Sequence, residues 1–190
     1  MSFVTGGSPQ WKHFFLATTM ALVVAGGATA QQYTVAERGS KIEFTVTRGK
    51  DDKLRGWLNN LKGTIVFNPE QPEKASFDVT VNSSTAKTGD AVADYKVKTE
   101  AFLNPLKFPE IRIKSTSVKK DGGPVYVLNG ELTLKGITKP VKIQFTALPS
   151  AGGYTFRGLL QLSRKLYNIG EKGDIDDNIT VYLQVAAKRK

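Results

Sequence analysis

The chain has 190 residues, a net charge of +10, no Cys and a single His at position 13. Disulfides, thiolate nucleophiles and cysteine-ligated metals are therefore excluded. So is any histidine-dependent acid, base or metal site beyond residue 13.

Lys12 and His13 precede an apolar run from Phe14 to Val24, and Ala28-Thr29-Ala30 follows as a small-x-small pattern. This is the three-part layout of a secretory leader, too short to cross a bilayer as a helix. A periplasmic or secreted protein is expected, cleaved near Ala30, with residues 1–30 as leader and 31–190 as one domain. Cleavage removes one Lys and no acid, leaving a charge of +9 on a chain long enough for a sizeable core. The lysines are scattered, without any block of five or six like charges. Such a surface is solvated and would be drawn to an anionic membrane.

Period-2 alternation then recurs along the chain. Ile42, Phe44 and Val46 form the first series, with the charged stretch Arg48–Trp57 after it reading as a loop. Ile65 with Phe67 comes next, and then Phe77, Val79 and Val81. From Thr88 to Phe102 the period changes: Ala91, Tyr95 and Phe102 fall at helical spacing, with Thr88 or Asp90 to cap the start and Asn104-Pro105 to end it. This predicts a short helix beside or across one end of the sheet. Alternation resumes at Ile111 and Ile113, and continues through Tyr126 to Leu134, Val141 to Phe145, Tyr154 to Leu162, and Ile179 to Val185. Turn residues bound each series, so about eight strands are expected, each with one apolar face. Periodicity alone leaves open a closed barrel or a two-sheet sandwich.

Little in this pattern carries chemistry. The stretch Lys135-Gly136-Ile137-Thr138-Lys139-Pro140 is basic and glycine-bearing, yet it lacks the spacing of a phosphate loop and no helix follows it. It reads as a hairpin turn with φ > 0 at Gly136. Asp174 to Asn178 lacks the ligand spacing of a calcium loop and reads as a solvated turn. A carboxylate pair could still support catalysis, but none stands out. No aromatic series interleaves with basic residues as base stacking would require, so no nucleic-acid partner is expected; Trp57, Tyr95 and Phe108 read as core or rim.

Four blocks carry a family resemblance. They are "RGWLNNLKGTIVFNPEQPEKASFDVTV" (55–81), "KTEAFLNPLKFPEIRIKSTSV" (98–118), "NGELTLKGITKPVKIQF" (129–145) and "SRKLYNIG" (163–170), with "SKIEFTV" (40–46) before them. From about Tyr33 to Ala187 the chain resembles the YceI-like polyisoprenoid-binding family. The resemblance implies an all-β fold, an eight-stranded antiparallel lipocalin-like barrel with one short flanking helix. It also implies export, no cofactor, and a non-catalytic role holding a polyisoprenoid or other long-chain amphiphile in an elongated apolar pocket. Lys96 stands where the family often has His in the helix, and Gly39 and Arg48 stand where His is common around the first strand.

In such a barrel the residues expected to line the pocket are Phe44, Val46, Trp57, Phe67, Phe77, Val79, Ile113, Leu134, Phe145, Phe156, Leu160 and Leu162. Arg48, Lys96 and Arg164 are the candidates for contact with a head group. Alternation by itself would suit a packed, ligand-free core equally well. An enzyme acting on a bound amphiphile and an envelope interaction protein remain as rival classes. Oligomeric state, a homodimer included, is left open.

Overall fold

The alternating series become nine antiparallel strands: β1 (Gln31–Arg48), β2 (Asp52–Leu58), β3 (Leu61–Phe67), β4 (Ser76–Asn82), β5 (Glu110–Lys120), β6 (Val125–Leu134), β7 (Ile137–Ser150), β8 (Gly153–Ser163) and β9 (Ile175–Arg189). The computed structural model describes residues 1–2, 31–170 and 175–190, so the expected leader lies outside the described residues, as does Asp174. β1 is followed around a ring by β3 through β9, and β9 pairs back onto β1. Eight strands thus close a barrel, as the family resemblance implied, and closure removes the open edges of a sandwich.

β2 lies outside that circuit. It pairs with β1 from Ile42↔Leu58 to Arg48↔Asp52, and Trp57 exchanges two backbone hydrogen bonds with Lys87 on its far side. The charged stretch read as a loop therefore holds a strand and the turn before it. Its alternation was masked because Gly56 takes the inward place between Leu54 and Leu58. The first half of β1 went unread as well. Gln31–Thr34 pair with β3, and the register against β9 shifts between Ala36 and Lys41. Ser40 secures that bulge, its hydroxyl donating to the Ala36 carbonyl and accepting from the Ala186 N–H at 2.9 Å.

The helix is shorter than expected. α1 (Ala91–Lys96) starts at Asp90, whose carboxylate accepts from the Ala93 N–H at 2.8 Å, and ends well before Asn104. Of the three residues at helical spacing, Ala91 and Tyr95 are exposed, while Phe102 packs with Val97 against the core from the turns that follow, where Leu103 is buried. The helix is too brief to bury a stripe of its own, so tertiary packing of the turns overrides its spacing.

The basic stretch is a hairpin, but a tighter one. Lys135 and Gly136 alone form the turn, with φ 51° and 74°, and Leu134 pairs with Ile137 across it. Ile137 to Pro140 already belong to β7. Ile175 to Asn178, expected in a turn, belong to β9.

One end of the barrel is filled by aromatic rings. Phe67, fully buried, sits edge-on to Tyr126, Tyr154 and Phe156 at 5.2–5.3 Å between centroids. Phe145 stacks on Tyr126 at 5.3 Å, and Phe77 meets both Phe145 and Phe156 edge-on. Edge-to-face packing of this kind adds about 0.5–1.5 kcal/mol per pair beyond area burial. The plug makes that end solid.

Candidate functional site: an apolar cavity

Above the plug the barrel is hollow. A cavity of about 670 Å³ runs from the floor made by Phe77, Phe145 and Phe156 to the end crossed by α1. Its wall alternates along each strand as the pleat requires: Ile42, Phe44 and Val46 on β1, Val79 and Val81 on β4, Leu128, Leu132 and Leu134 on β6, Leu160 and Leu162 on β8, and Val181, Leu183 and Val185 on β9. α1 and the turns after it contribute Val92, Ala93, Val97, Phe102 and Leu103.

Of the twelve residues expected to line the pocket, ten do: Phe44, Val46, Phe77, Val79, Ile113, Leu134, Phe145, Phe156, Leu160 and Leu162. Two do not. Phe67 faces inward but lies below the floor, walled off by Phe77, Phe145 and Phe156. Trp57 is half-buried on the other face of β2, where Lys41 Nζ lies 5.8 Å from its ring centroid and Gly89 packs beside it. Its cross-strand partner is the outward Glu43, whereas inward Phe44 faces Gly56.

The charged groups on the wall gather at the α1 end, where Arg48, Asp90, Lys96 and Arg164 reach it together with Thr88, while Thr80 joins the wall from β4. Arg48 pairs with Asp52 through Nη2 at 2.7 Å, and its buried Nε has no hydrogen-bond partner among the described residues. Lys96 is exposed on α1, its Nζ 5.7 Å from the Phe102 ring centroid. Arg164 is different. It is buried, and Nε, Nη1 and Nη2 donate to the carbonyls of Asp176, Ile169 and Ile175 at 3.0, 2.7 and 2.8 Å. Those three bonds tie the turn after β8 to the first residues of β9 through backbone carbonyls.

Two further ties hold this end together. Lys135 Nζ donates to the carbonyls of Ala101 and Asn168 at 3.2 and 2.6 Å, and the Gly170 N–H also reaches Ala101 at 2.7 Å. Burial holds the Lys135 ammonium below the usual lysine value. Asp94 accepts from the backbone N–H and hydroxyl of Thr88 and lies 3.5 Å from Lys87 Nζ. The Thr88 hydrogen bonds hold its carboxyl below the usual range, with Lys87 adding to them.

Among the described residues no group of three or more His, Cys, Asp or Glu could hold a metal ion. Asp90, the acid on the wall, is engaged as the helix cap. Burial raises Tyr126, Tyr154 and Tyr167, which moves them away from phenolate chemistry at neutral pH.

Such an antiparallel barrel, plugged at one end and hollow above, has the lipocalin-like architecture. Residues 33–187 match the model of the YceI-like domain, and the chain belongs to that family. It is 36% identical to a UPF0312 protein of Pectobacterium atrosepticum over 130 residues, 67% of each chain. It is 33% identical to Protein YceI of Escherichia coli O157:H7 over 137 residues, covering 70% of this chain and 71% of that one. Among solved structures, Burkholderia cenocepacia BcnA superposes with a TM-score of 0.75 at 20% identity, over 80% of this chain and 98% of that one. A polyisoprenoid binding domain from Saccharophagus degradans superposes with a TM-score of 0.64 at 9% identity, over 85% and 99%. At these identities the superpositions speak for the fold.

Proposed function

We propose that this protein is an exported carrier or store that holds one long-chain amphiphile, a polyisoprenoid or similar lipid, without chemically altering it. One observation carries the reading: a cavity of about 670 Å³ with a mostly apolar wall, whose charged residues Arg48, Asp90, Lys96 and Arg164 all stand at strand ends or on and around α1. That volume lies within the roughly 300–1,000 Å³ of small-molecule sites, and the polarity gradient matches a molecule with one apolar tail and one polar end. Burying the tail gains about 0.8 kcal/mol per CH2 before ordering costs. The Saccharophagus degradans protein of the same fold is a polyisoprenoid binding domain, which supports this ligand class.

Arg48 and Lys96 are the residues placed to meet the polar end. The unpaired Nε of Arg48 offers a donor in a desolvated setting, and the exposed Lys96 offers a second cation on the same wall. The leader pattern ending at Ala30 supports export. Peripheral contact with an anionic membrane completes the proposal.

The test is native mass spectrometry of protein purified from its own host, followed by lipid extraction. The expected result is a one-to-one complex with a long-chain lipid on a chain that begins at or near Gln31. An empty barrel, or an intact Met1 form confined to the cytoplasm, goes against the carrier and the export respectively.

A further inference from the structure

The end of the barrel that opens the cavity also carries a set of large apolar side chains turned outward. Val92 and Tyr95 on α1 are 76% and 77% exposed, Leu106 in the following turn is 99% exposed, and Leu166 in the 3-10 turn Arg164–Tyr167 is 55% exposed. These segments belong to one end: Lys135 bridges the Ala101 and Asn168 carbonyls, and Phe108 packs against Gly136 of the β6–β7 turn. Lys96, Lys107 and Lys165 stand among them, all exposed. Exposed apolar side chains interleaved with lysines suit the boundary between head groups and acyl chains of an anionic bilayer. Val92 supplies the continuity, because it lies on the cavity wall and on the exposed face at once.

We propose that Val92, Tyr95, Leu106 and Leu166 form the face by which the protein docks on an anionic lipid surface, holding the cavity mouth against the acyl layer. The assignment rests on the carrier reading for its purpose, since a long lipid tail then passes from bilayer to barrel without crossing water. The apolar residues enter the head-group boundary, and the lysines hold the anionic surface. Among the described residues no helix is long and apolar enough to cross a membrane, and α1 is six residues long.

The experiment is flotation of the purified protein with phosphatidylglycerol–phosphatidylethanolamine vesicles and with phosphatidylcholine vesicles. It compares wild type with a Tyr95→Ser/Leu106→Ser/Leu166→Ser variant, none of whose positions lines the cavity. A Leu148→Ser/Leu159→Ser variant, changed on β7 and β8, is the control. Wild type and control should float with the anionic vesicles, less so at high salt, while the triple variant partitions about ten-fold less or lower still. All three should retain a polyprenol delivered from detergent, and the triple variant should load from vesicles more slowly by a similar factor. Equal flotation of triple variant and wild type, equal losses in triple variant and control, or no flotation of wild type overturns the docking face. If wild type fails to float yet retains detergent-delivered polyprenol, docking fails and the carrier reading stands. Flotation that follows the mutations without any polyprenol retention leaves the face standing and removes the carrier.

Discussion

The ring of Phe44 fills the space that a side chain at Gly56 would need. A Cβ at position 56 would lie 2.2 Å from Phe44 Cζ and 2.7 Å from the Lys87 carbonyl oxygen. The two residues face each other across β1 and β2. Gly56→Ala should therefore cost roughly 1–3 kcal/mol and press the Phe44 ring toward the cavity. Phe44→Ala in the same chain should restore part of that loss, because Lys87 still crowds the site. Urea unfolding of the two single variants and the double variant measures the coupling. Additive losses would show that the ring is not held against Gly56.

Phe156 and Thr155 are neighbours on opposite faces of β8, with Phe156 4% exposed on the cavity floor. Phe156→Asp removes an aromatic contact with Phe67 and places a carboxylate in an apolar site. The expected loss is roughly 3–5 kcal/mol, together with lipid retention. Thr155→Asp should change both little. Phe44→Ala, which empties space without adding charge, should stay folded and accept an amphiphile at least as bulky. Lipid retained after gel filtration, with circular dichroism as folding control, checks all three.

Lys135 and Gly136 give the β6–β7 turn a structural purpose. Gly136→Val puts a branched side chain at φ 74° and within 2.6 Å of the Phe108 ring, so a loss of about 1 kcal/mol or more is expected. Lys135→Ala removes two hydrogen bonds to backbone carbonyls, a charge-assisted contribution of roughly 1.5–3 kcal/mol. Neither Lys135 nor Lys139 lies on the cavity wall, so Lys135→Ala and Lys139→Ala should hold lipid within a few-fold of wild type. Abolished binding in either would return the turn to the anion sites.

The strap leading into α1 should loosen in acid. Asp94 is held below its ordinary value of 3.8, first by the Thr88 hydrogen bonds. A carboxyl with a depressed folded value stabilises above its unfolded value, and that stabilisation is lost as pH falls through the folded one. Asp94→Asn should therefore raise amide exchange over 88–97 at pH 7, and the difference from wild type should shrink as pH drops below about 3.8. A difference independent of pH would assign the tie to shape alone.

The legibility of the cavity differed along its own wall. Phe44, Val46, Phe156, Leu160 and Leu162 were readable from alternation, because the pleat sends every second residue to the same face and a barrel has only one inside. The same signal extends to Ile42, Leu128, Leu132, Ile143, Val181, Leu183 and Val185, all in the alternating series and all on the wall. It failed at Phe67 and Trp57 for separate reasons. Phe67 has the inward face, but depth along the axis depends on how neighbouring strands are staggered, and three other rings lie above it. Trp57 sits in a strand whose inward place goes to a glycine, so no alternation marked which face it takes. Arg164 looked like the other basic residues until its carbonyl partners, up to twelve residues away, were in place.

The sequence by itself determined the period of most of the strands, a hairpin with φ > 0 at Gly136 and, through its family blocks, the barrel. Those properties are local, set by pleat geometry and φ, or carried by the wording of whole segments. Only the tertiary structure decided that Phe67, Tyr126 and Tyr154 plug one end while Phe77, Phe145 and Phe156 form a floor. It alone turned Val92 and Tyr95 outward at the mouth and set Arg164 to holding a loop. Those outcomes rest on strand stagger, the placement of a short helix and partners far away in sequence, none of which a local period encodes.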